Sequence, residues 1–290
     1  MNNKNKYIKE GELARRVQHL IANPSYRLAT DDHDFIESED LRPVRLQLEY
    51  LKPEAAMREQ GIHSTVIVFG SARARSSGQL ADELAELEQE LQKSPENQQL
   101  LAKKKILHKR GAQVKYYDEA RKFAAIVSRR IKAEARRGFV VITGGGPGIM
   151  EAANRGADDV GARSIGLNIN LPREQEPNPY ISPELCFQFR YFALRKMHFL
   201  MRARALVAFP GGFGTFDEVF EVLTLVQTKK VAPLPIILIG REYWSRVVDF
   251  NYLADEGFIA HDDLKLFEIV DTAEEAIALI SDFYGGSPPE

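Results

Sequence analysis

The chain is organised around the stretch Arg204-Ala-Leu-Val-Ala-Phe-Pro-Gly-Gly-Phe-Gly-Thr-Phe-Asp-Glu218. Its apolar run, Ala205 to Phe209, is typical of a short buried strand. After Pro210 the glycines predict a tight turn, with Thr215 as the N-cap of a helix that follows. The glycines of this turn are Gly211, Gly212 and Gly214. A strand, a glycine turn and a helix N-terminus in succession present free backbone N–H groups, which suit a phosphate.

Two acidic residues, Asp217 and Glu218, follow this turn and are expected in the first turn of the helix. One interpretation is structural, because a carboxylate near a helix N-terminus stabilises the helix through its dipole. The other is catalytic, because two adjacent carboxylates beside an anion site could act on the bound ligand. The sequence favours the catalytic interpretation and leaves the structural one open.

A second strand, glycine turn and helix are predicted between Gly138 and Ala157. The glycines of this turn are Gly144, Gly145, Gly146 and Gly148, and Glu151 lies at the start of the helix. A dinucleotide fingerprint would need glycine at position 149, which is isoleucine, and no Gly-Lys-Ser/Thr of a Walker A motif follows either turn. Two such turns in one sheet predict a small phosphorylated ligand held between them.

The first predicted strand, Ser64 to Phe69, ends in a polar turn that contains Ser71 and Arg73. Strands alternate with amphipathic helices along the chain, which predicts an α/β fold with a doubly wound, mainly parallel sheet and helices on both faces. Ligands bind such sheets at the carboxyl ends of the strands. Ser71 and Arg73 could therefore contact an anion or a base, although an ordinary turn with a solvated arginine is an equal alternative.

Two segments fall outside this alternation. Residues 1–60 are predicted to form a helical accessory segment, and residues 61–290 the nucleotide-binding catalytic domain. Within that domain, residues of about 76–115 are expected to be a helical insertion. Leucines at three- and four-residue steps predict a helical hairpin with one apolar seam, at Leu80, Leu84, Leu87 and Leu91. We expect both segments to serve assembly or regulation.

The composition and charge of the chain exclude several classes of protein. The chain has 290 residues, of which 44% are hydrophobic and 28% charged, and its net charge of -2 offers no general attraction to nucleic acid or to anionic membranes. No signal peptide or membrane-spanning run is evident, so a cytoplasmic protein is expected. Cys186 is the only cysteine and the six histidines lack metal-ligand spacing, so we expect neither a disulfide nor a metal site.

Three pieces of the chain together resemble the Lonely Guy (LOG) family. They are Gly144-Gly-Gly-Pro-Gly-Ile-Met-Glu151, Arg195-Lys-Met197 and Pro210-Gly-Gly-Phe-Gly-Thr-Phe-Asp-Glu218. Members are phosphoribohydrolases that activate cytokinins and have often been labelled lysine decarboxylases. They are Rossmann-like and usually dimeric, which implies a homodimer or a larger homo-oligomer here. The resemblance covers roughly residues 62–75 and 115–285.

The resemblance implies hydrolysis of the N-glycosidic bond of a nucleoside 5′-monophosphate, such as AMP or a cytokinin riboside monophosphate, without a cofactor. The products would be the free base and ribose 5-phosphate. It assigns catalysis to Glu218 and Arg195. We expect the two glycine turns, Glu151, Lys196 and Asp217 to contribute to substrate binding. Asp217 departs from the glutamate that the family commonly has at that place.

Two alternatives differ in class. A non-catalytic carrier of a nucleotide or of the molybdenum cofactor would need the glycine turns, whereas it would not need the carboxylate of Glu218. A lysine decarboxylase could use Lys196 as a Schiff base, but the α/β pattern carries no other signature of pyridoxal phosphate.

Overall fold

The computed structural model describes residues 4–133, 138–171 and 176–286. The chain divides into two compact units, residues 1–51 and residues 52–290. In the first unit, the helices α1 (Lys4–Ala22) and α2 (His33–Glu37) precede the start of α3 (Arg42–Glu59). The predicted N-terminal segment is therefore helical, as expected. Within this unit the Arg45 guanidinium donates to the carbonyls of Ile36 and Ser38, which ties α3 to the segment before it.

The second unit contains a seven-stranded sheet in which all the described strand pairs are parallel. Its strands are β1 (Thr65–Phe69), β2 (Val140–Thr143), β3 (Ser164–Ile169), β4 (Cys186–Phe189), β5 (Ala203–Ala208), β6 (Ile236–Ile239) and β7 (Glu268–Val270). They lie in the order β4-β3-β2-β1-β5-β6-β7. The predicted Rossmann-like, doubly wound α/β fold is confirmed.

Helices connect the strands and pack on the sheet. The first of these are α4 (Ser77–Lys93), α5 (Gln98–Gly111), α6 (Val114–Ala133), α7 (Ile149–Asp158) and α8 (Phe192–Met201). The others are α9 (Phe213–Gln227), α10 (Arg241–Val247), α11 (Phe250–Asp255) and α12 (Ala273–Phe283). Alternate residues of β1 belong to two separate apolar cores, Ile67 and Phe69 to one, Val66 and Val68 to the other. Successive strand side chains point to opposite faces, so the sheet is covered on both sides.

The strand order fixes where a ligand can bind. β1 and β5 are neighbours, and the chain winds away from them towards opposite edges of the sheet. A crevice opens at such a reversal point beyond the carboxyl ends of the strands. Here the loops after β1 and β5 are joined by a hydrogen bond of 3.0 Å from the Ser71 amide to the Pro210 carbonyl. The polar turn after β1 and the glycine turn after β5 are thus brought side by side.

The insertion is a helical hairpin of α4 and α5. Ser76 and Gln79 form a capping box at the start of α4, which satisfies backbone N–H groups that a helix leaves free at its N-terminus. Leu80 and Leu87 of α4 are buried with Leu107 of α5, and the rest of the predicted leucine seam packs against them. The apolar seam of α4 is therefore covered by α5 within the same chain.

A close approach between α6 and α7 depends on Gly156. A Cβ atom there would lie 2.0 Å from the Arg121 carbonyl oxygen and 3.0 Å from the Ala124 Cβ. We expect Gly156→Ala to lower the free energy of unfolding by about 3 kcal/mol, because a backbone oxygen cannot move aside as a side chain can. Gly78→Ala, in α4 with no atom within 4 Å of its Cβ position, is the control and should change it by less than about 1 kcal/mol. Urea unfolding of the two variants measures both values, and an equal effect would contradict this account of the α6–α7 contact.

Candidate active site

A cavity of about 1300 Å³ opens at the carboxyl ends of β1 and β5. The loops after these two strands, α8, the start of α9, α10 and the end of α5 all contribute to its wall. Among the predicted site residues, those that line it are Ser71, Arg73, Gly144, Arg195, Gly211, Gly212, Gly214, Thr215 and Glu218. The other predicted site residues lie outside this lining: Gly145, Gly146, Gly148, Glu151, Lys196 and Asp217.

The turn after β5 leaves backbone open to the cavity. A Cβ atom at Gly212 or Gly214 would have no atom within 4 Å, whereas one at Gly211 would lie 2.0 Å from the Thr215 hydroxyl oxygen. Gly211 is thus required by close packing, while the other two present an uncovered surface at a helix N-terminus. The Tyr243 hydroxyl donates to the Gly211 carbonyl at 2.5 Å and holds the turn in place.

The helix begins earlier than predicted. Gly212 is its N-cap and Phe213 its first residue, so the prediction of Thr215 as the N-cap is wrong. Thr215 is instead a buried residue of the first turn. Gly214, which the sequence pattern predicts to be in the turn, is the second residue of the helix. Asp217 and Glu218 are consequently the fifth and sixth residues of α9 and lie in its second turn, where the helix dipole has largely fallen off. The structural interpretation of these acids as capping charges therefore does not hold.

Glu218 faces Arg195 of α8. The distance from Arg195 Nη2 to Glu218 Oε1 is 3.6 Å, and their side chains are 14% and 7% exposed. Arg195 Nε is buried and has no hydrogen-bond partner among the described residues. Its guanidinium lies over the ring of Phe192, 5.0 Å from the ring centre. This arginine is held by packing and by one long ion pair, so it keeps donors that can bind a ligand.

Burial shifts the pKa values of both residues of this pair. Burial raises the pKa of Glu218 from 4.5 to about 7, although Lys196 and Arg195 act in the opposite direction. Burial also lowers the pKa of Arg195, against the effect of Glu218. A carboxyl group that titrates near neutral pH can accept or release a proton under physiological conditions, as a general acid or base must.

Because Glu218 is buried, its ionisation at high pH lowers the free energy of unfolding. Its folded pKa lies above its unfolded value, so the stability linked to its protonation is full below pH 4.5 and is lost as the pH rises through about 7. At 1.36 kcal/mol per pKa unit, this loss is about 3 kcal/mol. We expect Glu218→Gln to raise the melting temperature at pH 8 and to leave it almost unchanged at pH 4.5. Calorimetry at the two pH values measures this; a variant that is less stable at pH 8 would contradict it.

Asp217 and Lys196 lie outside the cavity lining and pair with each other. Lys196 Nζ lies 2.8 Å from Asp217 Oδ2 and 2.8 Å from Glu221 Oε2. Burial alone would lower the pKa of Lys196, but hydrogen bonds to the two carboxylates outweigh it and raise that pKa. A Schiff-base lysine needs a neutral amine and therefore a lowered pKa. The environment of Lys196 is the opposite.

In the second glycine turn, other parts of the chain occupy the space in which a ligand was expected. The Asn178 side-chain amide donates to the carbonyls of Gly145 and Gly146. A Cβ atom at Gly148, where φ is +73°, would lie 2.2 Å from the Ser71 carbonyl oxygen. In this turn only Gly144 lies in the cavity wall, beside Arg195 Nη1 at 3.9 Å from its Cβ position. The turn thus packs the loop after β1 onto α7 and brings Arg73 and Gly144 to the same cavity.

Glu151 is engaged behind the cavity. It accepts hydrogen bonds from the Tyr117 hydroxyl at 2.8 Å and from Gln79 Nε2 at 2.9 Å. Burial and the Glu151 carboxylate together raise the pKa of Tyr117, which therefore stays protonated. Because Gln79 belongs to α4 and Tyr117 to α6, Glu151 anchors the insertion to α7. A role for Glu151 in substrate binding stays a prediction.

Sequence patterns pointed to neither Tyr243 nor the basic residues of α5 and α10 that line the cavity. Tyr243 belongs to no motif and contacts the glycine turn from another helix. The only signal for α5 was the basic run His108-Lys-Arg110 near its end, which a helix C-terminus commonly carries for its dipole. In the described part of the chain, no cluster of three or more residues could hold a metal ion. None of the described helices is long and apolar enough to cross a membrane.

Comparison with known proteins agrees with this geometry. The family model described as "Possible lysine decarboxylase" matches residues 150–280. The cytokinin riboside 5′-monophosphate phosphoribohydrolase LOG2 of Arabidopsis thaliana is 24% identical over 177 residues, which are 60% of this chain and 78% of the relative. The phosphoribohydrolase LOG of Oryza sativa subsp. japonica is 28% identical over 158 residues, which are 52% of this chain and 63% of the relative.

Among solved structures, the Moco (molybdenum cofactor) carrier protein from Chlamydomonas reinhardtii is 17% identical in sequence, with a TM-score of 0.42. The match spans 77% of this chain and 98% of the carrier protein. That likeness is too distant to bear on function. The family model matches the part of the chain that holds Arg195, the glycine turn and Glu218. These matches support membership of the LOG family.

Proposed function

We propose that this chain hydrolyses the N-glycosidic bond of a nucleoside 5′-monophosphate and releases the free base and ribose 5-phosphate. The observation that carries the proposal is the buried Glu218–Arg195 pair in one cavity with an open glycine turn. The relatives named as cytokinin riboside 5′-monophosphate phosphoribohydrolases support the same chemistry.

The glycine turn suits the 5′-phosphate. The uncovered backbone at Gly212 and Gly214 lies at the N-terminus of α9, where free N–H groups and the positive end of the dipole favour an anion. The phosphate is remote from the bond that breaks, so its binding energy can position the ribose for reaction. Tyr243, through its hydrogen bond to Gly211, keeps the turn in the required shape.

Glu218 suits the reacting end of the ribose. Cleavage of the N-glycosidic bond develops positive charge on the sugar ring, which a carboxylate stabilises. With a pKa of about 7, Glu218 can also take a proton from the attacking water. Arg195 supplies a fixed positive charge and unused N–H donors, for the phosphate or for the departing base. A carrier would gain nothing from a buried carboxylate beside an anion site, because the negative charge repels the phosphate.

Incubation of the purified protein with AMP and with other nucleoside monophosphates tests the proposal. Chromatography is expected to show free base and ribose 5-phosphate in equal amounts. Heat-inactivated protein is the control for spontaneous hydrolysis. Tight binding of a monophosphate without release of base from any of them would favour the carrier instead.

A further inference from the structure

The cavity is larger than the proposed substrate requires, and the insertion forms part of its wall. Its volume of about 1300 Å³ exceeds the range of about 300–1000 Å³ that is usual for small-molecule sites. The end of α5 and the start of α6 contribute Ile106, Lys109, Arg110 and Lys115 to the lining. The first three lie outside the family resemblance and Lys115 stands at its boundary, so the motifs assign none of them a role.

The charge of the lining is strongly positive. Its six basic residues are Arg73, Lys109, Arg110, Lys115, Arg195 and Arg246. Its two acidic residues are Glu218 and Glu242. The whole chain, in contrast, has a net charge of -2. Basic groups are thus concentrated in this cavity, and a concave surface lined by one sign of charge raises the local concentration of the opposite ion.

Half of these cations already have a carboxylate nearby. Arg195 faces Glu218, Arg246 Nη1 is 3.5 Å from Glu242 Oε1, and Arg110 Nη1 is 3.9 Å from Glu83 Oε2. The other half, Arg73, Lys109 and Lys115, have no carboxylate within 4 Å among the residues that the structure describes. The Lys115 ammonium instead lies over the Tyr116 ring, 4.9 Å from its centre.

The helix dipole accounts for only part of this cluster. Lys109 and Arg110 lie in the last turn of α5, where a positive charge is favourable in any helix. Lys115 lies beyond that helix end, in the first turn of α6, where the dipole disfavours a cation. Arg73 comes from the loop after β1. Three separate elements therefore bring unpaired positive charge to one cavity, and a bound anion is the common explanation.

We propose that Lys109 and Lys115, with Arg73, form a second anion subsite, which takes a nucleotide carrying a second phosphate group. The location of the first phosphate, on the glycine turn, rests on the proposed function. The insertion would then select among nucleotides by their number of phosphates. Each added charge-assisted contact strengthens binding, and the strength of binding should fall as salt rises because the lysines are exposed.

Calorimetric titration tests this in the Glu218→Gln background, in which turnover is expected to be about 10²-fold slower or more. The probes are AMP, ADP and adenosine 3′,5′-bisphosphate. At least one of the two doubly phosphorylated probes is expected to bind about tenfold more tightly than AMP. The quantity to compare is the dissociation constant of AMP divided by that of the tighter-binding doubly phosphorylated probe. In the double variant Lys109→Gln/Lys115→Gln, this ratio should fall to near one. Lys103→Gln/Lys105→Gln, two exposed lysines of α5 outside the lining, is the matched control and should keep the full ratio.

Equal or weaker binding of both doubly phosphorylated probes would overturn the proposal, and so would a ratio that survives the loss of Lys109 and Lys115. Both outcomes are independent of catalysis, because the experiment measures binding alone. If wild-type protein releases no base from AMP while the ratio depends on the two lysines, the proposed function fails and the second subsite stands. If base is released and the ratio is one, the reverse holds.

Discussion

Replacing Glu218 by glutamine is expected to lower kcat for a nucleoside 5′-monophosphate by about 10²-fold or more, with nucleotide binding and fold retained. Glutamine keeps the size of the side chain but can neither carry negative charge nor accept a proton from water. The expected loss is therefore in the chemical step, where positive charge develops on the ribose. Steady-state kinetics with a calorimetric dissociation constant separates the two effects.

Asp217→Asn is the matched control for this variant. Asp217 is the neighbouring residue in the same helical turn, but its side chain is 59% exposed and pairs with Lys196 outside the cavity lining. An exposed ion pair of this kind contributes less than about 1 kcal/mol, so the control should keep nearly full turnover. Normal turnover by Glu218→Gln together with an inactive Asp217→Asn would reverse the assignment of the pair. Normal turnover by both would remove the carboxylate mechanism.

Glu218→Gln should combine lost activity with a gain in stability at pH 8. A buried carboxyl group without a catalytic role would show the gain in stability at pH 8 but no loss of activity. The combination is what a buried ionisable group produces when it serves function at the expense of the folded state. The two measurements on one variant therefore distinguish a catalytic carboxyl group from a structural one.

Removing the 5′-phosphate from the substrate is expected to have the second large effect. Adenosine should be hydrolysed with a kcat/KM about 10²- to 10⁴-fold lower than AMP, because the phosphate supplies binding energy that positions the ribose against Glu218. Release of adenine, measured under identical conditions for both substrates, checks this.

The chain offers a control for the anchor itself. Gly212→Val would place a branched side chain over the open backbone of the turn, where no atom lies within 4 Å of the Cβ position. This variant should raise KM for AMP and bring the rates on AMP and adenosine closer together. Comparable rates on AMP and adenosine in the unmodified protein would show that the glycine turn is not the phosphate anchor.

The outline of the α/β unit followed from local patterns. Short apolar runs such as Ala205–Phe209, ended by glycines and followed by residues at helical spacing, predicted parallel strands joined by helices, and the described sheet has that form. The leucine spacing in the insertion predicted a hairpin, and α4 and α5 form one. Such predictions succeed because periods of 2 and 3.6 residues are properties of neighbouring residues in the chain.

The start of α9 shows the limit of that approach. A glycine can occupy a turn or the first turn of a helix, and the sequence of the motif did not distinguish them. Thr215 was predicted at the N-cap, whereas the helix already begins at Phe213. This difference of a few residues places Asp217 and Glu218 in the second turn of the helix. Their interpretation as charges that stabilise the helix N-terminus is therefore lost.

The sequence alone was enough to predict the order of strands and helices and to place Glu218 near the start of a helix that follows a glycine turn. Only the tertiary structure decided that Glu218 is buried against Arg195 with a pKa of about 7, that Asp217 faces Lys196 instead, and that Asn178 fills the second glycine turn. The reason is that the two kinds of property depend on residues at different separations along the chain. Backbone conformation is set by neighbours along the chain, whereas the pKa of a carboxyl group and the wall of a cavity depend on water exclusion and on charges a few ångströms away, contributed by distant segments.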